Sequence, residues 1–126
     1  MGKGTLKQNG VHLQDHEYAT VKLFLEKGFD IELIPPVRIK DVRTPDFTMG
    51  GISWEMKSPE GGSKTTIRHT IKHAVTQSGN IIVDLRRYKL DDNSAIKELE
   101  QHFKLSKRIR RMKIVTKELE ILDFSK

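Results

Sequence analysis

Apolar positions along the chain change their spacing several times, and each change predicts an element. After Asp15, a capping residue, Tyr18, Val21, Phe24 and Leu25 recur at helical spacing until Gly28, which predicts a helix running to about residue 27. Phe29 to Ile34 reads as a strand ended by Pro35-Pro36. Apolar Phe47, Met49, Ile52, Trp54 and Met56 then alternate with polar neighbours on either side of Gly50-Gly51, the pattern of a hairpin with strands near 44–49 and 52–58. Ile67, Ile71, Ala74 and Val75 return to helical spacing over about 65–77, with Gly79 as the stop. Ile81-Ile82-Val83 is a continuous β-branched run, read as a central strand buried on both faces. Asp91 or Asp92 opens a third helix with Ile96, Leu99 and Phe103 inward, and two strands near 112–116 and 119–124 end the chain. Residues 1–14 have no period and read as a flexible arm with little structure, which leaves 15–126 as the domain. The predicted fold is α/β in the α+β sense: a single small domain with a central mixed sheet flanked by helices, αβββαβ followed by αββ.

The hairpin carries the candidate chemistry. A two-residue loop pairs Met49 with Ile52, Thr48 with Ser53 and Phe47 with Trp54, and its extension sets Asp46 opposite Glu55. One face then collects Phe47, Met49, Ile52, Trp54 and Met56, and the other Asp46, Thr48, Ser53, Glu55 and Lys57. Carboxylates facing each other across a ladder repel, so the pair calls for a raised pKa or a bound cation. A hard divalent ion such as Mg²⁺ or Mn²⁺ takes carboxylate oxygens and completes its shell with water and phosphate. The competing reading is a solvated sheet face on which Lys57 relieves the repulsion in a surface salt bridge.

Composition narrows the class. With 126 residues, 36% of them hydrophobic, the chain suits one compact domain. It has no apolar run of bilayer-crossing length, so no membrane insertion is expected, and its lack of cysteine excludes disulfides and thiolate metal sites. A formal charge of +6 favours polyanions through counterion release. The basic residues gather in two places. Lys64, Arg68 and Lys72 form a stripe on the second helix, and Lys104, Lys107, Arg108, Arg110, Arg111 and Lys113 crowd the exit of the third, where a phosphate-backbone surface is expected. The second helix also carries His69 and His73 one turn apart. Thr70 stands where a zinc protease would need glutamate, so zinc is disfavoured. Either histidine, with Lys57 and Thr65 or Thr66, offers an alternative: metal-free RNA cleavage by general acid–base transfer through the ribose 2′-hydroxyl. A non-catalytic nucleic-acid-binding module is the remaining alternative.

Pro45-Asp46 opening the second strand of the αβββαβ unit, with Glu55-Met56-Lys57 inside the third, resembles the PD-(D/E)xK nuclease superfamily. Together with Glu17 in the first helix, Gly28 at its end, Trp54 to Ser58, and Ala74-Val75-Thr76-Gln77, these residues are similar to C-terminal nuclease domains of bacterial contact-dependent growth-inhibition toxins, often tRNases. The resemblance implies that Asp46 and Glu55 hold the metal and Lys57 acts on water or phosphate, with Glu17 a further carboxylate and Gln77 a supporting hydrogen-bonder. It also implies an endonuclease acting on nucleic acid, RNA (tRNA) ahead of DNA, as a toxin domain. Such a domain is delivered within a longer exported protein, acts in the cytoplasm and meets an immunity protein. Growth-inhibition tRNases of the barnase/EndoU/colicin/RelE-like class use the metal-free route.

Overall fold

In a computed structural model that describes residues 2–126, the chain runs β1 (Leu6–Lys7), α1 (Asp15–Glu26), β2 (Ile31–Leu33), β3 (Phe47–Met49), β4 (Ile52–Lys57), α2 (Thr66–Ala74), β5 (Asn80–Asp84), α3 (Asp92–Leu105), β6 (Arg111–Val115) and β7 (Ile121–Ser125). A single 3-10 turn, Leu85–Arg87, follows β5. The seven strands form one sheet in chain order. β3 is antiparallel to both β2 and β4, and β7 is antiparallel to β6, while β1 pairs parallel with β2 and β5 pairs parallel with both β4 and β6. Five strands, β1, β2, β4, β5 and β6, therefore point the same way, and the sheet has a carboxyl end and an amino end.

Local sequence explains the hairpin. Gly50 and Gly51 take φ of 62° and 75°, the pair of left-handed conformations that a two-residue turn requires. The register follows: Met49 with Ile52, Thr48 with Ser53, Phe47 with Trp54. β5 is central as expected, with Ile81, Ile82 and Val83 all fully buried. Because those side chains alternate, they feed two cores. Ile81 and Val83 pack with Ile67 and Ile71 of α2, Leu99 of α3 and Met112 of β6. Ile82 packs on the opposite face with Val21 and Phe24 of α1, Trp54 and Met56 of β4, and Phe47. The domain is thus α1, sheet, then α2 with α3, a layered solution that hides both faces of the parallel strands.

Three expectations change. The stretch before α1, read as an arm with little structure, contains β1, and Val11 and Leu13 pack against the α1-side core; Met1 lies outside the described residues. Leu6 pairs with Ile31, and the Thr5 N–H donates to Asp30 Oδ1 at 2.8 Å, so the backbone of this polar segment is satisfied by the sheet edge. On α1, Tyr18 is exposed, and Thr20 and Leu23 join Val21 and Phe24 on the buried side. The first hairpin strand is shorter than predicted, because its ladder begins at Phe47.

Candidate active site

Trp54 and Met56 turn into the α1-side core, so the strand alternation directs Glu55 and Lys57 to the opposite face. β4 is an interior strand, with β3 on one side and β5 on the other, where Glu55 pairs with Ile81 and Lys57 with Val83. Glu55 is consequently buried, at 4% exposure. Asp46 stands just outside the β3–β4 ladder. Its N–H donates to the Trp54 carbonyl at 2.9 Å, and its Oδ2 accepts the Met56 N–H at 2.8 Å. The carboxylate has taken the place of a ladder partner, which clamps Asp46 against the strand that carries Glu55. Lys57 Nζ lies 3.1 Å from Glu55 Oε2. Glu55 Oε1 is buried with no hydrogen-bond partner.

Burial pushes the Glu55 carboxyl up to about 8, reinforced by the charge of Asp46 and opposed by Lys57. Asp46 is also raised, first by burial; the Met56 N–H pulls it back, and the charge of Glu17 adds to the upward push. A side-chain hydrogen bond between the two carboxyls raises Glu55 and lowers Asp46, so the pair takes up a proton beside one ammonium, the mark of a site short of positive charge. Hard oxygen donors in that condition fit a divalent cation. Among the described residues, no group of three or more histidine or acidic side chains is placed to hold a metal ion, and the side-chain carboxylates the site itself offers are Asp46 and Glu55. That matches the habit of Mg²⁺, which keeps several waters.

Glu17 belongs to the neighbourhood through its effect on Asp46, and its Oε1 accepts the Gln14 N–H at 2.9 Å, closing the start of α1. Gln77 is placed differently. It follows α2 at the amino end of the sheet, level with Ser53, whose carbonyl accepts a bond from Ser78 Oγ, and its side chain makes no hydrogen bond among the described residues. His69 and His73 lie on the exposed side of α2, together with Arg68 and Lys72. The Thr66 hydroxyl is engaged with Ser63 at the head of α2, accepting from its N–H at 3.1 Å. Of the metal-free set, the two histidines are thus exposed on α2 and the Thr66 hydroxyl is bonded to Ser63 at the helix head. Lys64 is exposed just before α2.

The basic group near the third helix exit divides. Lys107, Arg108, Arg110 and Arg111 are exposed at the amino end of β6, where the Arg110 N–H donates to the Gly79 carbonyl. Lys104 pairs with Glu100. Lys113 turns to the α1 side, pairs with Asp123 and lies over the rings of Phe29 and Trp54. It belongs to that core's rim, not to a phosphate surface.

One arrangement near the site is absent from the sequence reading. Asp84, at the carboxyl end of β5, is buried and accepts the Thr20 hydroxyl of α1 at 2.6 Å and two nitrogens of Arg86, Nε and Nη2. This bond network fixes α1, and with it Glu17, against the sheet. Its sequence signal was the single acid ending an otherwise apolar run, Ile81-Ile82-Val83-Asp84.

By fold, the chain is a small α+β domain with three helices around a seven-stranded mixed sheet. A solved structure described as the CdiA-CT/CdiI toxin and immunity complex from Burkholderia pseudomallei is similar to it, with a TM-score of 0.74 and 18% sequence identity over 98% of this chain and 100% of that chain. No curated protein matches the chain significantly. The family model for the contact-dependent growth inhibition CdiA C-terminal domain matches residues 43–121, more than half of the sequence, and the chain belongs to that family of toxin domains. The matched region includes Asp46, Glu55 and Lys57.

Proposed function

We propose that this domain is a metal-dependent endonuclease of the PD-(D/E)xK type, with Asp46 and Glu55 as metal ligands and Lys57 as the catalytic cation. The observation that carries the reading is the buried, unpartnered Glu55 Oε1 beside Asp46, with Lys57 in contact with the other oxygen. A solvated salt bridge has no reason to bury its carboxylate to 4% exposure or to leave one oxygen unsatisfied. When bound, Mg²⁺ or Mn²⁺ would supply Lewis-acid polarisation of the scissile phosphate and a more acidic water.

The chain's own residues do the rest. Asp46 is held by the Met56 N–H against β4, with its carboxyl hydrogen-bonded to that of Glu55. Glu55 offers Oε1 toward the same region. Lys57, paired through Nζ with Glu55 Oε2, keeps its remaining donors at the end of β4. It orients the attacking water and neutralises charge that builds on the phosphoryl oxygens as the water oxygen bonds to phosphorus and the bridging ester oxygen departs. Glu17 adds negative potential behind the metal ligands.

The substrate is nucleic acid, with RNA, tRNA in particular, favoured on the family resemblance. As a member of a contact-dependent growth-inhibition family, the domain would act in the cytoplasm of a target cell after delivery as part of a longer exported protein. A cognate immunity protein is the expected partner, in keeping with the complex named for the similar structure.

The test is to incubate the purified protein with tRNA and with plasmid DNA, in Mg²⁺ or in EDTA, and to identify the product ends. Cleavage that needs the metal and leaves no cyclic phosphate is expected. RNA cleavage that persists in EDTA with a 2′,3′-cyclic phosphate would transfer the chemistry to the histidines.

A further inference from the structure

Residues 34–46 join β2 to β3 at the carboxyl end of the sheet, the end that carries Lys57 and Asp46. The Ile34 N–H donates to the Asp46 carbonyl at 2.9 Å, so the neck of this connection closes on the candidate metal ligand itself. Inside the neck, the Val42 N–H to Ile39 carbonyl contact is the one backbone hydrogen bond among the described residues. A connection of this length with joined ends and no regular structure is an Ω-type loop, a class that commonly carries function.

Its composition is unusual for a solvated linker. Val37, Ile39 and Val42 are 42%, 64% and 43% exposed, and they interleave with exposed Arg38, Lys40 and Arg43. Asp41 is the only acid between the prolines and Pro45. Of the other cations at this end of the sheet, Lys57 pairs with Glu55, Arg86 with Asp84, Arg87 with Glu60 and Lys117 with Asp92, while Lys64 and Lys89 are exposed and farther along the chain from Asp46 than this loop. Among the described residues, Arg38, Lys40 and Arg43 form no ion pair. The unspent positive charge nearest in sequence to Asp46 is therefore on this loop.

We propose that the 37–43 loop grips the phosphodiester backbone beside the bond to be cut. Arg38, Lys40 and Arg43 contact phosphates, and Ile39 packs on sugar and base faces. This inference rests on the nuclease reading for its substrate. Its argument is charge complementarity with placement: free cations on an arm whose base is Asp46. Exposed aliphatic side chains between them suit the apolar faces of unstacked or splayed nucleotides.

The experiment measures affinity by fluorescence anisotropy in EDTA across a salt series, for tRNA and for a short DNA duplex. It uses wild type, the triple variant Arg38→Ala/Lys40→Ala/Arg43→Ala, and Ile39→Ser, with circular dichroism to verify folding. The triple variant is expected to bind about tenfold or more weakly, with a log–log salt slope shallower by about 2 to 3. Ile39→Ser is expected to keep the slope and lose about threefold in affinity, because it removes apolar contact and no charge. The substrate showing the larger change in slope identifies RNA or DNA as the backbone gripped. A folded triple variant that keeps wild-type affinity and slope overturns the inference, as does one that loses only capture of an immunity protein, or a wild type that binds neither nucleic acid. Loop-dependent binding without cleavage under any condition would sink the nuclease reading and leave the loop assignment standing. Unaltered binding and cleavage by the triple variant would do the reverse.

Discussion

At the carboxyl end of the parallel strands, Glu55 is buried with an unpartnered oxygen, Asp46 is clamped to the Met56 N–H, and Asp84 is locked between Thr20 and Arg86. At the amino end, Lys107, Arg108, Arg110 and Arg111 stand in water beside the β5 and β6 starts. The second end presents its four cations exposed and outside any ion pair among the described residues. The first holds charge where solvent cannot screen it, and an interaction in such surroundings is worth several times its value at the surface. The contrast teaches that charge in water stays screened, whereas desolvated and incompletely satisfied charge is a reason to look for function.

The sharpest way to break that comparison is to remove the carboxyl-end charges. Glu55→Gln and Lys57→Ala should each lower the rate of phosphodiester cleavage by about 10³-fold or more. Their circular dichroism should stay native, and residual rates within tenfold of wild type would refute the assignment. Next in size is the support beneath the site. Arg86→Ala leaves the Asp84 carboxylate buried without its cation and should cost about 3 kcal/mol in urea unfolding. A loss below about 0.5 kcal/mol would show Asp84 to be solvated in practice.

Proton linkage sharpens the comparison further. The folded-state pKa of Glu55, about 8, lies above its unfolded value of 4.5, so the folded protein holds this proton more tightly. The resulting contribution to stability is intact below about pH 4.5 and is lost as pH rises toward and through 8. In EDTA, thermal stability should therefore fall across that window. Glu55→Gln should flatten the fall, and Mg²⁺ or Mn²⁺ should raise the melting temperature of wild type at pH 8 more than that of the variant. A wild-type profile parallel to that of Glu55→Gln would be the contrary result.

The smallest effect belongs to the exposed helix face. His69→Ala/His73→Ala should change the Mg²⁺-dependent cleavage rate by less than about twofold, since both side chains stand in water on α2. A large loss in initial rate would return these histidines to the chemistry.

Much of this was legible in the one-dimensional pattern. Alternation around Gly50-Gly51 gave the hairpin register, because a period of two and a pair of left-handed glycines admit one pairing. The run Ile81-Ile82-Val83 announced a strand covered on both faces, since an apolar triplet without alternation has no side for water. The joint placement of Asp46, Glu55 and Lys57 followed from those two local rules, apart from the ladder's end at Phe47 and the turn of the Asp46 carboxylate to the Met56 N–H.

Other features were set by distant partners. β1 exists because Leu6 meets the free edge of β2, an interaction invisible in a polar segment with no period of its own. Gln77 and the cations of 107–111 came to the amino end, while the loop of 37–43 came to the carboxyl end, because chain direction in each strand decides where its flanking segments emerge. The burial of Glu55 is likewise tertiary: it follows from β5 pairing parallel with β4, across a connection that contains α2. Short-range sterics and side-chain periodicity are written residue by residue, but desolvation and strand polarity depend on what long-range pairing places alongside.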